Sequence, residues 1–235
     1  LSHHNILWNI NAALQRIQVF QEDLLLSFLP LSHTLERTAG YYLPIVTGTP
    51  VAFSRSIPQL AEDLETIKPT LMISVPRIFE RVYGKITTKL AKGSGIQQWL
   101  FTTATQLGWQ RFQHRQGRAG WHPGFLLFPL LDKLVGAKVR AKLGGRMRFA
   151  VCGGAPLSED VARLFIGLGI PIVQGYGLTE CSPVIACNAL EDNVPASVGV
   201  ALEGVETQVT ERGELLTRSP SIMLGYWGNA QASHQ

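Results

Sequence analysis

From Ser2 onward, apolar residues fall at Ile6, Leu7, Ile10, Ala13, Leu14 and Ile17, with polar residues between them. That spacing predicts an amphipathic helix with Ser2 as its candidate cap. Leu24 to Leu29 is different, a short and mostly apolar run closed by Pro30, as expected of a buried strand. Helical spacing resumes at Leu35, Ala39, Tyr42, Leu43 and Val46 and stops at Gly48, and Val51–Phe53 is a second short strand. Leu60, Leu64 and Ile67 mark a helix between Pro58 and Pro69, and Thr70–Val75 is a third strand ended by Pro76. Two long helical stripes follow, Phe79 to Leu90 and Ile96 to Leu107; Trp121–Pro129 has no clear period, and Leu130 to Ala141 is helical up to Gly144 and Gly145. Met147–Cys152 is a fourth strand, Val161 to Leu168 a helix capped by Ser158 and stopped at Gly169, and Ile170–Val173 a fifth strand.

Strands alternating with helices imply an α/β fold, a mostly parallel sheet flanked by helices and joined by right-handed crossovers. Ligands bind such sheets outside the carboxyl ends of the strands. Four of the five expected strands end in unusual chemistry: Pro30–His33, Pro76–Arg77, Gly153–Pro156 and Gly175–Glu180. Parallel strands would bring these segments to one rim. After Pro195 the texture changes. Val205, Thr207 and Val209 alternate with polar residues, Glu211–Gly213 makes a turn, and Glu214–Thr217 returns. The expected division is an α/β part over 1–194 and the start of a smaller β subdomain over 195–235.

On that rim, Gly153, Gly154 and Ala155 leave room for a planar ring against the backbone, and Pro156 leads into a helix. Gln174-Gly175-Tyr176-Gly177-Leu178-Thr179-Glu180 brackets an aromatic face with glycines and follows it with a hydroxyl and a carboxylate. Glycine allows close backbone approach, Tyr176 offers a face for a base, and Thr179 with Glu180 offers oxygen ligands to a hard cation. Adenine between the two loops, with magnesium at Glu180, is the favoured reading; a plain glycine turn is its rival. His33 on its loop could gate a channel or simply be solvated. Arg77 could hold an anion or pair with Glu80. His3, His4, His114, His122 and His234 have no ligand-like spacing.

Composition narrows the setting. The chain has 235 residues, 46% hydrophobic, ample for a core. Cys152, Cys181 and Cys187 form no Cys-x-x-Cys pair, so neither a disulfide framework nor a zinc site is indicated and a reducing, cytoplasmic setting fits. No apolar run approaches the roughly 18 residues that span a bilayer. The net charge of +4 is unevenly placed: thirteen Lys and Arg lie between Arg81 and Leu157, where Asp132 is the only acid. Interleaved with Trp99, Trp109, Trp121 and four phenylalanines, the basic 81–148 region fits peripheral contact with the inner face of a membrane, or a solvated basic face over a helical core. Nucleic acid is disfavoured, because long helices without a base-reading motif give it nothing specific to meet.

Three ordered stretches, Gly-Gly-Ala-Pro-Leu-Ser at 153–158, the motif at 174–180, and Gly-Glu-Leu-Leu-Thr-Arg-Ser-Pro-Ser-Ile-Met-Leu-Gly-Tyr-Trp at 213–227, resemble motifs of the adenylate-forming superfamily. Leu29–His33 with Glu36-Arg37, and Ser74–Arg81, narrow the resemblance to bacterial long-chain fatty acyl-CoA synthetases. The resemblance implies an ATP-dependent ligase that forms an acyl-adenylate and passes the acyl group to coenzyme A. It further implies that Gly153–Pro156 and Gln174–Leu178 line the nucleotide pocket, Thr179 meets phosphate, Glu180 binds Mg2+, and His33 lies at the gate of the acyl tunnel. The family's phosphate loop, ribose-binding aspartate and C-terminal lid domain have no counterpart here. The expectation is therefore an internal fragment, inactive by itself. The rivals are an enzyme of other acyl or aryl acids, one that delivers to a carrier protein, and a truncated product that only binds nucleotide.

Overall fold

In the computed structural model, which describes residues 1–233, the chain opens with helix α1 (His3–Arg16). Ser2 caps it: its Oγ accepts from the Asn5 N–H at 3.2 Å, while Asn5 Oδ1 accepts from the Ser2 N–H at 2.8 Å. Two otherwise unpaired donors are thereby satisfied. Strand β1 (Leu25–Ser27) follows. One continuous helical run then joins α2 (Thr34–Glu36), a π-helical turn Arg37–Tyr42 and α3 (Leu43–Thr47). It stops at Gly48, whose φ of 70° suits glycine.

Strand β2 (Val51–Phe53), helix α4 (Leu60–Ile67), strand β3 (Leu71–Ser74) and the long helices α5 (Pro76–Ala91) and α6 (Gly95–Arg115) come next. The stretch without a clear period holds a 3-10 turn, Pro123–Leu126. A second interrupted helix follows it: α7 (Phe128–Leu131), a π-helical turn Asp132–Gly136, and α8 (Ala137–Ala141). Strand β4 (Phe149–Cys152), helix α9 (Glu159–Gly167) and strands β5 (Ile172–Gly177), β6 (Val184–Cys187), β7 (Val200–Ala201), β8 (Glu206–Val209) and β9 (Leu215–Arg218) lead to a last short helix, α10 (Ala230–Ser233). His234 and Gln235, the end of the expected 195–235 segment, lie outside the described residues.

The main sheet has the order β2-β1-β3-β4-β5-β6-β7. Its first five strands are parallel, and β6 and β7 join antiparallel. The expected mostly parallel sheet with flanking helices is therefore present. Two features differ from the sequence reading. β5 does not stop at Val173 but continues through Gly175 and Tyr176, because β6 folds back to pair with it, Gly175 opposite Cys187. β6 itself was not foreseen, since a short apolar run carries no period of its own. The chain after Pro195 first returns β7 to the large sheet and then forms the expected hairpin, Glu206 opposite Arg218 and Val209 opposite Leu215.

Strand alternation sorts the core into two layers. Leu25, Leu71, Ile73, Phe149, Val151 and Val173 face one side, with Ile17 of α1 and Leu35 and Ala39 of the α2–α3 run. Leu26, Met72, Ala150, Cys152 and Ile172 face the other, under α4, α5 and α9. There Phe79 meets Phe165 edge-on at 5.3 Å.

Candidate functional site

Because β1, β3, β4 and β5 are parallel, the segments after them leave the sheet at one edge. A cavity of ≈ 340 Å³ opens there, between the sheet and helices α1–α3. Its floor is Leu25, Leu71, Ile73, Phe149 and Val151, and its helical wall includes Ala13, Ile17, Leu35, Ala39 and Leu43. His33, Gly153, Gly154 and the stretch Gly175–Glu180 form the rim. Of the residues singled out in the sequence, these come together around one space. Arg77, Ala155, Pro156 and Gln174 do not line it.

The glycines follow from strand phase. Val151 and Val173 point to the layer that carries the cavity, so the next positions of the same phase are Gly153 and Gly175. A side chain there would narrow the mouth. A Cβ at Gly153 would stand 3.2 Å from Leu35 Cδ2, whereas one at Gly175 would meet its neighbours at 3.5 Å, an ordinary contact. Gly177 is constrained differently: a Cβ would lie 1.9 Å from the Pro183 carbonyl oxygen, across the bulge where β5 meets β6. Gly154 has a φ of 82°, in the left-handed region.

Gln174 has the opposite phase and is buried. Its Oε1 accepts from the Leu157 N–H at 2.9 Å and its Nε2 donates to the Pro195 carbonyl at 2.6 Å. The side chain thus ties the end of the Gly153–Pro156 loop to the segment beyond β6. Ala155 and Pro156 are exposed beside it. His33 is exposed at the mouth, where its Nδ1 accepts from the Leu35 N–H at 3.3 Å and caps α2.

Thr179 is exposed on the rim, and Glu180 Oε1 accepts a hydrogen bond from the Tyr226 hydroxyl at 2.7 Å. That bond holds the Glu180 carboxyl below its ordinary range and pushes the Tyr226 phenol up. The Met223 N–H also donates to the Glu180 carbonyl at 2.7 Å. Among the described residues there is no cluster of three or more His, Cys, Asp or Glu side chains that could hold a metal. A divalent ion at Glu180 would therefore draw its other ligands from phosphate oxygens and water. That fits Mg2+, which keeps several waters and takes few protein carboxylates.

Tyr226 and the cavity wall were not foreseen as site residues. The wall was legible in principle, since Ala13, Ile17, Leu35, Ala39 and Leu43 all stand in the helical stripes. Tyr226 carried no spacing signal that joined it to Glu180. Cys152, Cys181 and Cys187 are free and buried, and burial pushes their thiols up to about 12, 11 and 11.

A family model described as "AMP-binding enzyme" matches residues 1–227. The long-chain-fatty-acid–CoA ligase FadD15 of Mycobacterium bovis is 36% identical over 217 residues, covering 90% of this chain and 35% of that protein. The peroxisomal long chain acyl-CoA synthetase 6 of Arabidopsis thaliana is 30% identical, covering 97% of this chain and 33% of that protein. The chain thus spans about a third of the length of the curated relatives it matches. Among solved structures, ATP-bound MatB from Rhodopseudomonas palustris superposes with a TM-score of 0.67 at 20% identity, over 100% of this chain and 39% of that one. A long-chain-fatty-acid-CoA ligase, FadD1, from Archaeoglobus fulgidus gives 0.66 at 17% identity, over 100% and 42%.

Proposed function

Since the chain belongs to the AMP-binding enzyme family, we propose that its protein is an ATP-dependent ligase joining a long-chain fatty acid to coenzyme A. The observation that carries this reading is an apolar cavity whose mouth is the glycine-rich rim. An alkyl chain suits the floor of Leu25, Leu71, Ile73 and Phe149. A carboxylate at the mouth then meets whatever the rim binds.

In the proposed reaction the fatty carboxylate oxygen attacks the α-phosphorus of ATP and the bond to pyrophosphate breaks, giving the acyl-adenylate. The thiol sulfur of coenzyme A then attacks the acyl carbon, and AMP leaves as the thiol proton passes to solvent. Gly153, Gly154, Ala155 and Pro156, with Gly175, Tyr176, Gly177 and Leu178, take the adenine and AMP. Gln174 keeps the first loop in place. Thr179 meets phosphate, Glu180 is the carboxylate ligand of Mg2+, and His33 gates the acyl cavity. Bound Mg2+ would offset phosphate charge as the leaving group departs. The protein's own share is positioning and charge placement, without a covalent protein nucleophile. Residues 1–194 carry the nucleotide and acyl sites in this reading, and 195–235 are part of a β subdomain.

The same reading places the protein in the cytoplasm, with the basic 81–148 region touching the inner membrane face. The proposed contact is peripheral, and among the described residues no helix is long and apolar enough to cross a membrane. The ligase reading is tested by ATP–pyrophosphate exchange with the full-length protein and carboxylic acids of graded length. Long-chain acids are expected to be preferred, and the product is expected to form with coenzyme A. A preference for acetate or benzoate would overturn it.

A further inference from the structure

On the sheet face away from the candidate site, helices α5, α6 and α8 enclose a second groove, of ≈ 870 Å³. Its floor is apolar, with Val82, Ile86, Leu100, Phe101, Val139 and Leu143. Its rim is Lys85, Lys89, Lys92, Lys138 and Lys142. Lys142 pairs with Glu65 at 3.0 Å; among the described residues the other four form no ion pair. Asp132, the only acid between Arg81 and Leu157, is held by both terminal guanidinium nitrogens of Arg140, at 2.6 and 2.8 Å.

Beside the groove stands an exposed apolar row. Leu127, which caps α7, and Leu130 and Leu134 on the α7–α8 helical run are 62%, 60% and 42% exposed and fall on one side by spacing. Leu134 also lines the groove. On α6, Ile96 and Trp99 are 72% and 63% exposed, while Phe101, Trp109 and Phe112 pack against the core. A helix with apolar residues on both its buried and open sides has more greasy surface than the fold itself uses.

An apolar floor, a lysine rim and an exposed leucine ledge are complementary to an anionic amphiphile presented at a surface. An acidic soluble protein would satisfy the lysines and leave the ledge wet. We propose that the α5–α6–α8 groove docks an anionic phospholipid of a bilayer, laying one acyl chain along its floor with the phosphate against the lysines. Lys89 and Lys138 flank the head group, and the Leu127–Leu130–Leu134 row sits among neighbouring chains. This rests on the peripheral membrane reading above and gives that reading its site.

The test uses full-length protein and vesicles of phosphatidylcholine with or without phosphatidylglycerol, at low salt. Wild type is expected to bind the anionic vesicles. The exposed double variant Lys89→Gln/Lys138→Gln, with thermal unfolding as its folding control, is expected to bind them roughly 30-fold more weakly, from about fivefold per lysine near an anionic surface. A phosphatidylglycerol with a diazirine in its acyl chain is expected to label peptides within 82–101 and 134–143. If wild type ignores anionic vesicles, the membrane reading and the groove proposal both fall. Equal binding by wild type and the double variant, or label confined to 126–130, leaves membrane contact standing and overturns the groove. Labelling that free oleate abolishes while vesicle binding persists marks a fatty-acid site and likewise overturns the phospholipid assignment. Binding to an acidic protein with no vesicle binding does the same.

Discussion

Gln174 spends both ends of its side chain on backbone groups, the Leu157 N–H and the Pro195 carbonyl, and both bonds are buried. In the sequence it stands in the same motif as Tyr176, and motif membership alone gives the two residues the same role. Strand phase turns Gln174 away from the cavity-facing glycines and into the scaffold, whereas Tyr176, two residues on and beyond the buried part of the strand, is exposed on the cavity rim. Replacing Gln174 with Leu would keep the bulk and strand one donor and one acceptor. Each stranded group costs about 1–3 kcal/mol, so Gln174→Leu is expected to lose about 2–6 kcal/mol in urea unfolding. The KM for ATP should rise as well, because the Gly153–Pro156 loop loses its tether. A variant as stable as wild type would show that the loop is held by other contacts.

At the scale of elements, β5 is where the sequence reading and the fold part most clearly. The glycines of 174–180 read as a loop, yet antiparallel pairing with β6 makes Gly175–Gly177 strand. The two glycines then carry opposite expectations. At Gly175 a Cβ has ordinary 3.5 Å neighbours, so Gly175→Ala is expected to fold with wild-type thermal stability while its methyl group narrows the cavity mouth. Its kcat/KM for long-chain acids should fall at least tenfold, by analogy with the cost of misplacing substrate. At Gly177 even a methyl group meets the Pro183 oxygen at 1.9 Å, so Gly177→Ala is expected to lower the unfolding temperature itself, as strain in a packed region does. Equal behaviour of the two variants would contradict the close backbone approach at the β5–β6 bulge. The π-helical turns at Arg37–Tyr42 and Asp132–Gly136 were also beyond the sequence, since one extra residue in a turn barely disturbs an apolar stripe. What did survive was the stripe itself, which placed both helical runs and, with them, the cavity wall.

For the whole molecule, alternation of short apolar runs with helical stripes was enough to give the parallel sheet and its functional edge. That pattern reports which residues are buried, and burial sets the layers. It says much less about a buried charge. Glu36 lies next to Arg37 in the sequence and looks like half of a surface pair, but it is fully buried beneath the π-helical turn. Ser27 Oγ donates to its Oε1 at 2.5 Å, and among the described residues its Oε2 has no partner. A Cβ at Gly40 would come within 2.5 Å of Oε1, so glycine makes room for the carboxyl. Burial pushes the Glu36 pKa up to about 7, against the smaller opposing pull of the Ser27 hydroxyl and the Phe28 N–H, neither of which brings a charge. Between the ordinary value of 4.5 and about 7, the folded protein holds a proton that the unfolded chain has released. Stability from this group is therefore fully present below about 4.5, falls as pH rises to about 7, and is level above that. The full span is on the order of 3 kcal/mol. Glu36→Gln is neutral throughout, so it is expected to lack this slope and to gain on wild type as pH rises from about 5 to about 8. Urea midpoints of both proteins across that range measure the difference directly, and parallel curves would mean that Glu36 titrates alike in the folded and unfolded chains.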